Sequence, residues 1–167
     1  MTQDRTIWSL TGKDALNFLQ GLVTNDLRPL ETGPGIVWAA LLTPQGKYLA
    51  DFFVVRLLDG TLLIDIATPL ATDTLRRLTL YRLRADAQIK VSELHLTRGL
   101  GAMPDGALPD PRHPALGWRL YGPEHLPETA VDWDAIRVAN LIPESGIELV
   151  PDDTYILEAG FERLHGV

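Results

Sequence analysis

Two carboxylates stand in stretches that otherwise read as apolar strands: Asp51 within Lys47 to Arg56 and Asp65 within Thr61 to Ile66. Strand alternation gives Asp51 the parity of Leu49, Phe53 and Val55, an acid on an apolar face. A four-residue loop at Thr43-Pro44-Gln45-Gly46 pairs Trp38 with Asp51 across the hairpin. A carboxylate beside an indole in a poorly solvated cleft is placed to accept hydrogen bonds from the N–H edge of a ligand. The same residue on an edge strand would simply face water. A two-residue hairpin at Asp59-Gly60 pairs Asp65 with Val54 and sends it to the opposite face, which disfavours glycosidase or aspartic-protease chemistry. His95, His113, His125 and His165 show no metal-ligand spacing. Neither a glycine-rich phosphate loop nor a Gly-x-Ser-x-Gly elbow occurs. Arg76, Arg77, Arg82 and Arg84 could hold an anionic tail or RNA, or serve as a solvated helix end that complements the dipole.

These residues sit in a chain of 167 with 46% hydrophobic positions, enough to bury a core. Fifteen Lys and Arg against 22 Asp and Glu give a net charge of −7, which disfavours general binding of DNA or an anionic membrane. Without a cysteine the chain lacks disulfides, thiol nucleophiles and thiolate ligands for zinc or iron–sulfur clusters. Such usage, with no secretory or transit pattern at Met1-Thr2-Gln3-Asp4-Arg5, leads to the expectation of a cytoplasmic protein.

The elements that must position the carboxylates follow from periodicity. Ala15, Phe18, Leu19 and Leu22 mark a helix capped by Thr11 or Gly12, with Asp14 in its first turn and Gly21 at its end. Ile36–Leu42, Tyr48–Arg56 and Thr61–Ile66 form a meander. Thr68-Pro69 opens a helix running toward Tyr81, and Leu83 to Val91 alternates as a strand. Residues 36–91 therefore read strand–strand–strand–helix–strand, an α+β module. Gly- and Pro-rich sequence from Gly99 to Pro114 reads as a linker, Gly117–Tyr121 as a short strand, and Trp133 to Asn140 as a helix capped by Asp132.

Four blocks in order carry a resemblance: Leu10-x-Gly12-x-Asp14-Ala15-x-x-Phe18-Leu19-Gln20-Gly21-x-x-Thr24-Asn25-Asp26-Leu27, then Leu42-Thr43-Pro44-Gln45-Gly46-Lys47, Asp51-Phe52, and Tyr81-x-Leu83-Arg84. Together they resemble the folate-binding YgfZ branch of the aminomethyltransferase (glycine-cleavage T-protein, GcvT) superfamily. Arg137, Pro143, Gly146 and Glu158 fall where that branch has its second Arg-x-x-x-x-x-Pro-x-x-Gly segment and a following acid. The family's Lys-Gly-Cys-Tyr-x-Gly-Gln-Glu signature would follow His165-Gly166-Val167, so the chain reads as an N-terminal portion.

The resemblance implies a GcvT/YgfZ-like fold with a ferredoxin-like module, residues 35–111, inserted into a folate-binding domain built from residues 1–34 and 112–167. It implies that the C-terminal barrel is absent. It further implies binding of tetrahydrofolate or a derivative, assistance to iron–sulfur cluster assembly or repair in client and assembly proteins, and effects on tRNA modification. The site residues it suggests are Asp51, Trp38, Tyr81, Arg84, Arg137 and Glu158, with no catalytic and no metal-binding residue. Ala50 stands where the transferases have the first acid of an Asp-Asp pair. An accessory factor is therefore expected rather than a one-carbon transferase, with a folate-independent scaffold as the third reading.

Overall fold

The computed structural model describes residues 4–167. Its main sheet contains the expected meander: β2 (Gly35–Leu42), β3 (Tyr48–Arg56) and β4 (Leu62–Ala67) are successive antiparallel neighbours. Helix α2 (Thr68–Arg82) and β5 (Gln88–Val91) follow, completing the strand–strand–strand–helix–strand order in an α+β fold. The sequence reading began with a helix, and the structure begins with a strand, β1 (Arg5–Thr11). β1 lies between β4 and β5, giving the sheet order β2-β3-β4-β1-β5. Residues assigned by resemblance to the first segment thus supply a central strand to the sheet of the second. Trp8 and Leu10 alternate inward on β1 and are 2% exposed.

Both hairpin registers differ from expectation through loop length, and the first through a bulge as well. Thr43 and Lys47 close the first turn, with the Lys47 carbonyl accepting from Thr43 N at 2.8 Å, so the loop is Pro44-Gln45-Gly46 with Gly46 at φ 86°. Leu57 N likewise donates to the Thr61 carbonyl at 2.9 Å around Leu58-Asp59-Gly60, with Gly60 at φ 88°. Three-residue loops ending in a left-handed glycine shift each register from the two- or four-residue alternative. Ala40, not Trp38, stands opposite Asp51, and Phe53, not Val54, stands opposite Asp65. A bulge after Leu41 leaves Leu49 as the extra residue, since Leu42 pairs with Tyr48 and Leu41 with Ala50. Tyr48 therefore replaces Leu49 on the Asp51 face, and Asp65 shares that face too.

Each face of the sheet is covered. On one, Phe52, Val54 and Ile64 meet Ala15 and Leu19 of α1 (Ala15–Gln20) and Leu78 of α2. The Asp51 face packs against a second sheet of β6 (His95–Gly99), β8 (Trp118–Gly122) and β7 (Leu108–Pro109), in that order, together with α3 (Trp133–Ala139) and the tail residues Phe161 and Leu164. The strand read from Leu83 to Val91 shortens to β5, and the supposed linker contributes the edge of β6 and all of β7. α3 is capped as expected, with Asp132 Oδ1 accepting from Ala135 N at 2.9 Å. α1 is not. Its Asp14 makes no cap bond and instead accepts from Asp86 N at 2.8 Å.

The Thr24-Asn25 corner ties the tail to β2. Thr24 Oγ1 accepts from Ala40 N at 2.9 Å and donates to the Gly166 carbonyl at 2.7 Å. Asn25 Nδ2 donates to the carbonyls of Trp38 at 2.9 Å and His165 at 2.7 Å. Gly166 fits where a Cβ would stand 2.5 Å from Phe161 and 3.0 Å from the Trp38 ring. Asn25→Ala removes both donated bonds and leaves the Trp38 carbonyl short of a partner, a loss of about 1–3 kcal/mol in urea unfolding.

Candidate functional site

Asp51 is 7% exposed and bonded to two side chains on its own face of the sheet. Trp38 Nε1 donates to Oδ2 at 2.9 Å and the Tyr48 hydroxyl donates to Oδ1 at 2.5 Å. The bulge brings Tyr48 into reach, and the unshifted parity brings Trp38 there on the diagonal. Trp38 in turn stacks on Phe161, centroids 4.1 Å apart at 24°. Burial, and then the neighbouring Asp51 carboxylate, push the Tyr48 hydroxyl far above its usual titration range.

Asp65, on the same face, is 0% exposed and sits in a cationic cage. Arg5 Nε donates to Oδ1 at 2.7 Å, while Arg119 at 2.6 Å and the Tyr121 hydroxyl at 2.7 Å donate to Oδ2. Burial alone would raise the Asp65 pKa; Arg5 and Arg119 outweigh it and hold the carboxyl far below the ordinary range. Arg119 also donates to Asp110 at 3.3 Å, and Arg112 grips Asp110 through Nε at 3.0 Å and Nη2 at 2.8 Å. Burial works upward on Asp110 as well, and Arg112 followed by Arg119 brings it down to about 2. The Phe53 ring lies under these cations, 4.0 Å from the Arg119 guanidinium carbon and 4.9 Å from that of Arg112.

Beside this cluster opens a cavity of about 790 Å³, within the size range of small-molecule sites. Arg5, Arg98, Arg112 and Arg119 line it with Phe53 and Trp133, and Asp4, Glu93, Glu128, Asp134 and Glu144 add carboxylates. Arg98 lies over the Trp133 ring at 3.9 Å. Among the described residues two buried side-chain nitrogens lack a hydrogen-bond partner, Arg98 Nε and Trp118 Nε1. No group of three potential metal ligands occurs among the described residues, nor does any described helix have the length and apolarity to cross a membrane.

The six residues suggested by the resemblance fall in three places. Trp38 and Asp51 meet in the core, and neither lines the 790 Å³ cavity. Tyr81 (48% exposed) and Arg84 lie exposed at and just beyond the end of α2. Arg137 is held by Asp134 at 2.9 Å and Glu148 at 3.0 Å, and borders a smaller groove with Glu158. Sequence reasoning missed the arginine cluster. Its signal was present: Asp65 on an apolar strand, and Arg112 and Arg119 just after a Pro-Asp-Pro turn. The wrong loop length sent Asp65 to the other face, and the Gly and Pro content marked Gly99 to Pro114, with Arg112 and Asp110 inside it, as linker.

This two-sheet α+β chain resembles the YgfZ-like proteins of the aminomethyltransferase superfamily. No family model matches it. It is similar to the iron–sulfur cluster assembly factor IBA57 homologue, mitochondrial, of Mycosarcoma maydis, at 26% identity over 98% of this chain and 48% of that protein. Human IBA57, mitochondrial, is 26% identical over 98% of this chain and 56% of its own length, and the Pyricularia oryzae homologue 29% identical over 79% and 38%. The chain thus spans about half the length of the curated relatives it matches. Among solved structures, an aminomethyltransferase of the glycine cleavage system from Bartonella henselae aligns with a TM-score of 0.49 and 18% identity, over 55% of this chain and 25% of that one. The relatives are mitochondrial, which overturns the cytoplasmic expectation. Absence of cysteine excluded an oxidising compartment's disulfides and did not separate one reducing compartment from another.

The cluster fixes an acid limit. A carboxyl with a lowered native pKa stabilises the fold fully above its unfolded value near 4, and that stabilisation drains away as pH falls toward the native value. For Asp110 the window is about pH 4 to about 2, and the loss amounts to about 2 kcal/mol. Urea unfolding at stepped pH should show this fall added to that from Asp65, and Asp110→Asn should make the total fall shallower.

Proposed function

We propose that the chain serves iron–sulfur cluster assembly as a folate-binding accessory module, with cluster-assembly proteins and the enzymes that receive clusters as its partners. The observation that carries this reading is similarity to IBA57 proteins along nearly the whole chain. With no cysteine, the chain offers a cluster no thiolate, so its share of the work is ligand binding and docking. Where the receiving enzymes modify tRNA, loss of the protein lowers that modification.

For tetrahydrofolate the donor set suits the ring end. A carboxylate has about four lone-pair positions; Trp38 and Tyr48 take two at Asp51, leaving acceptors for the N–H edge of a pterin against the Trp38 indole. Phe161 and Gly166 cover that indole, so a ligand there displaces the tail turn. When bound, the folate supplies a reduced, one-carbon-carrying pterin. The protein contributes an acceptor, a flat wall and exclusion of water. Ala50 is 1% exposed among the apolar residues of the helix-covered face, so the first acid of the transferases' pair has no counterpart in the site. This favours an accessory role over aminomethyl transfer.

Calorimetry with tetrahydrofolate tests the ligand: binding is expected, weakened by about 1–3 kcal/mol in Asp51→Asn, which keeps the shape and removes the charge that accepts those bonds. Equal affinity in the variant would contradict the site, and no binding at all would favour a folate-independent scaffold. Cells lacking their own IBA57-type factor test the wider role. The chain joined to the C-terminal half of such a relative should restore cluster-enzyme activity, and a well-expressed fusion that does not would contradict it.

A further inference from the structure

One charge at the 790 Å³ cavity has no answering charge among the described residues. Three of its four arginines have carboxylate partners: Arg5 on Asp65, Arg119 on Asp65 and Asp110, and Arg112 on Asp110. Among the described residues the Arg98 guanidinium has no ion pair and no hydrogen bond. Its contact is the Trp133 face, and its Nε is buried without a partner. Glu128, the carboxylate nearest in the bonding pattern, accepts from the Arg98 backbone N at 2.9 Å rather than from the side chain. The Trp133 contact leaves the outer guanidinium nitrogens at the cavity, where no described residue bonds them. Burial first, and then Arg119 and Arg112, push the Arg98 pKa down to about 9, so the group is still charged at neutral pH.

We propose that this cavity is a binding site for a small aromatic carboxylate, whose carboxylate docks on the Arg98 guanidinium and whose ring lies against the apolar walls. The planar fork of an arginine matches a carboxylate in two-point contact, and stacking on Trp133 fixes the fork's plane before a ligand arrives. Phe53, Ile7, Leu94 and Leu96 supply the apolar walls. Asp4, Glu93 and Glu144 line the same space and repel a second or third negative charge, which sets the site against phosphates and nucleotides. One carboxylate on an otherwise neutral body satisfies both demands. The inference goes beyond the folate reading, which rests on Asp51; Asp51 does not line this cavity.

Hippurate, an aromatic amide with one carboxylate, is a suitable probe, with its methyl ester and inorganic phosphate as controls, followed by calorimetry and tryptophan fluorescence on the full chain. Hippurate should bind, the ester at least about tenfold more weakly, and phosphate more weakly still. Arg98→Gln should lose about tenfold or more for hippurate, Arg98→Lys less, with the melting temperature of Arg98→Gln unchanged or raised because a half-buried charge without an ion-pair partner has gone. Equal binding of ester and acid, phosphate binding as tight as hippurate, or full affinity in Arg98→Gln would each overturn the proposal. So would a several-degree fall in melting temperature for Arg98→Gln together with no hippurate binding to the parent, which would assign Arg98 to packing on Trp133. Tetrahydrofolate binding that responds to Asp51→Asn and not to Arg98→Gln leaves this site standing on the hippurate result alone.

Discussion

One buried carboxylate joins the two sheets. Asp65 projects from β4 at zero exposure and takes charge-assisted bonds from Arg5 on β1 and Arg119 on β8, with Tyr121 of β8 completing the set. Its worth lies less in net stability than in specification. A buried ion pair roughly breaks even against well-packed apolar residues of the same volume, whereas removal of one partner costs about 3–5 kcal/mol. The geometry therefore admits one arrangement of the sheets. Arg119 extends that arrangement to Asp110, and Asp110 to Arg112, whose guanidinium lies 5.8 Å from the Trp38 ring and 4.9 Å from that of Phe53. The chain of contacts reaches from the sheet interface to the Asp51 knot.

Two chemically different places result on one face of the sheet. Around Asp51, neutral donors on Trp38 and Tyr48 answer a carboxylate, and the Phe161–Gly166 turn lies over the indole. Around Phe53, arginines dominate and one of them, Arg98, lacks an answering charge among the described residues. In a chain of net charge −7, concentrating four arginines at one cavity needs the interior carboxylates Asp65 and Asp110 as counterweights. Along nearly the whole of its length the chain is similar to about half of the IBA57 proteins, and it carries no cysteine.

The periodic elements were legible before the structure. The meander, α2 and α3 follow from apolar spacing, a Thr-Pro helix start and an Asp cap, all local signals. The closeness of Trp38 and Asp51 was legible as well, although the register that brings them together is diagonal and helped by a bulge that periodicity cannot show. β1 was hidden because Arg5 and Ser9 on one side and Thr6 on the other blur its alternation, while its pairing partners lie about 60 and 80 residues away along the chain. Loop length decided the rest. Gly46 and Gly60 each sit at the left-handed position of a three-residue turn, and that one-residue difference moves Asp65 from one face to the other. The arginine cluster depends on that face and on tertiary contact across two sheets, which spacing does not encode.

A double-mutant cycle between Asp65→Asn and Arg119→Gln, read by urea unfolding at neutral pH, tests the central claim that this pair fixes the two sheets together. The account predicts a coupling of about 2–3 kcal/mol, since either single change strands a buried partner and the second change relieves it. Single-variant losses that simply add, within about 0.5 kcal/mol, would contradict it.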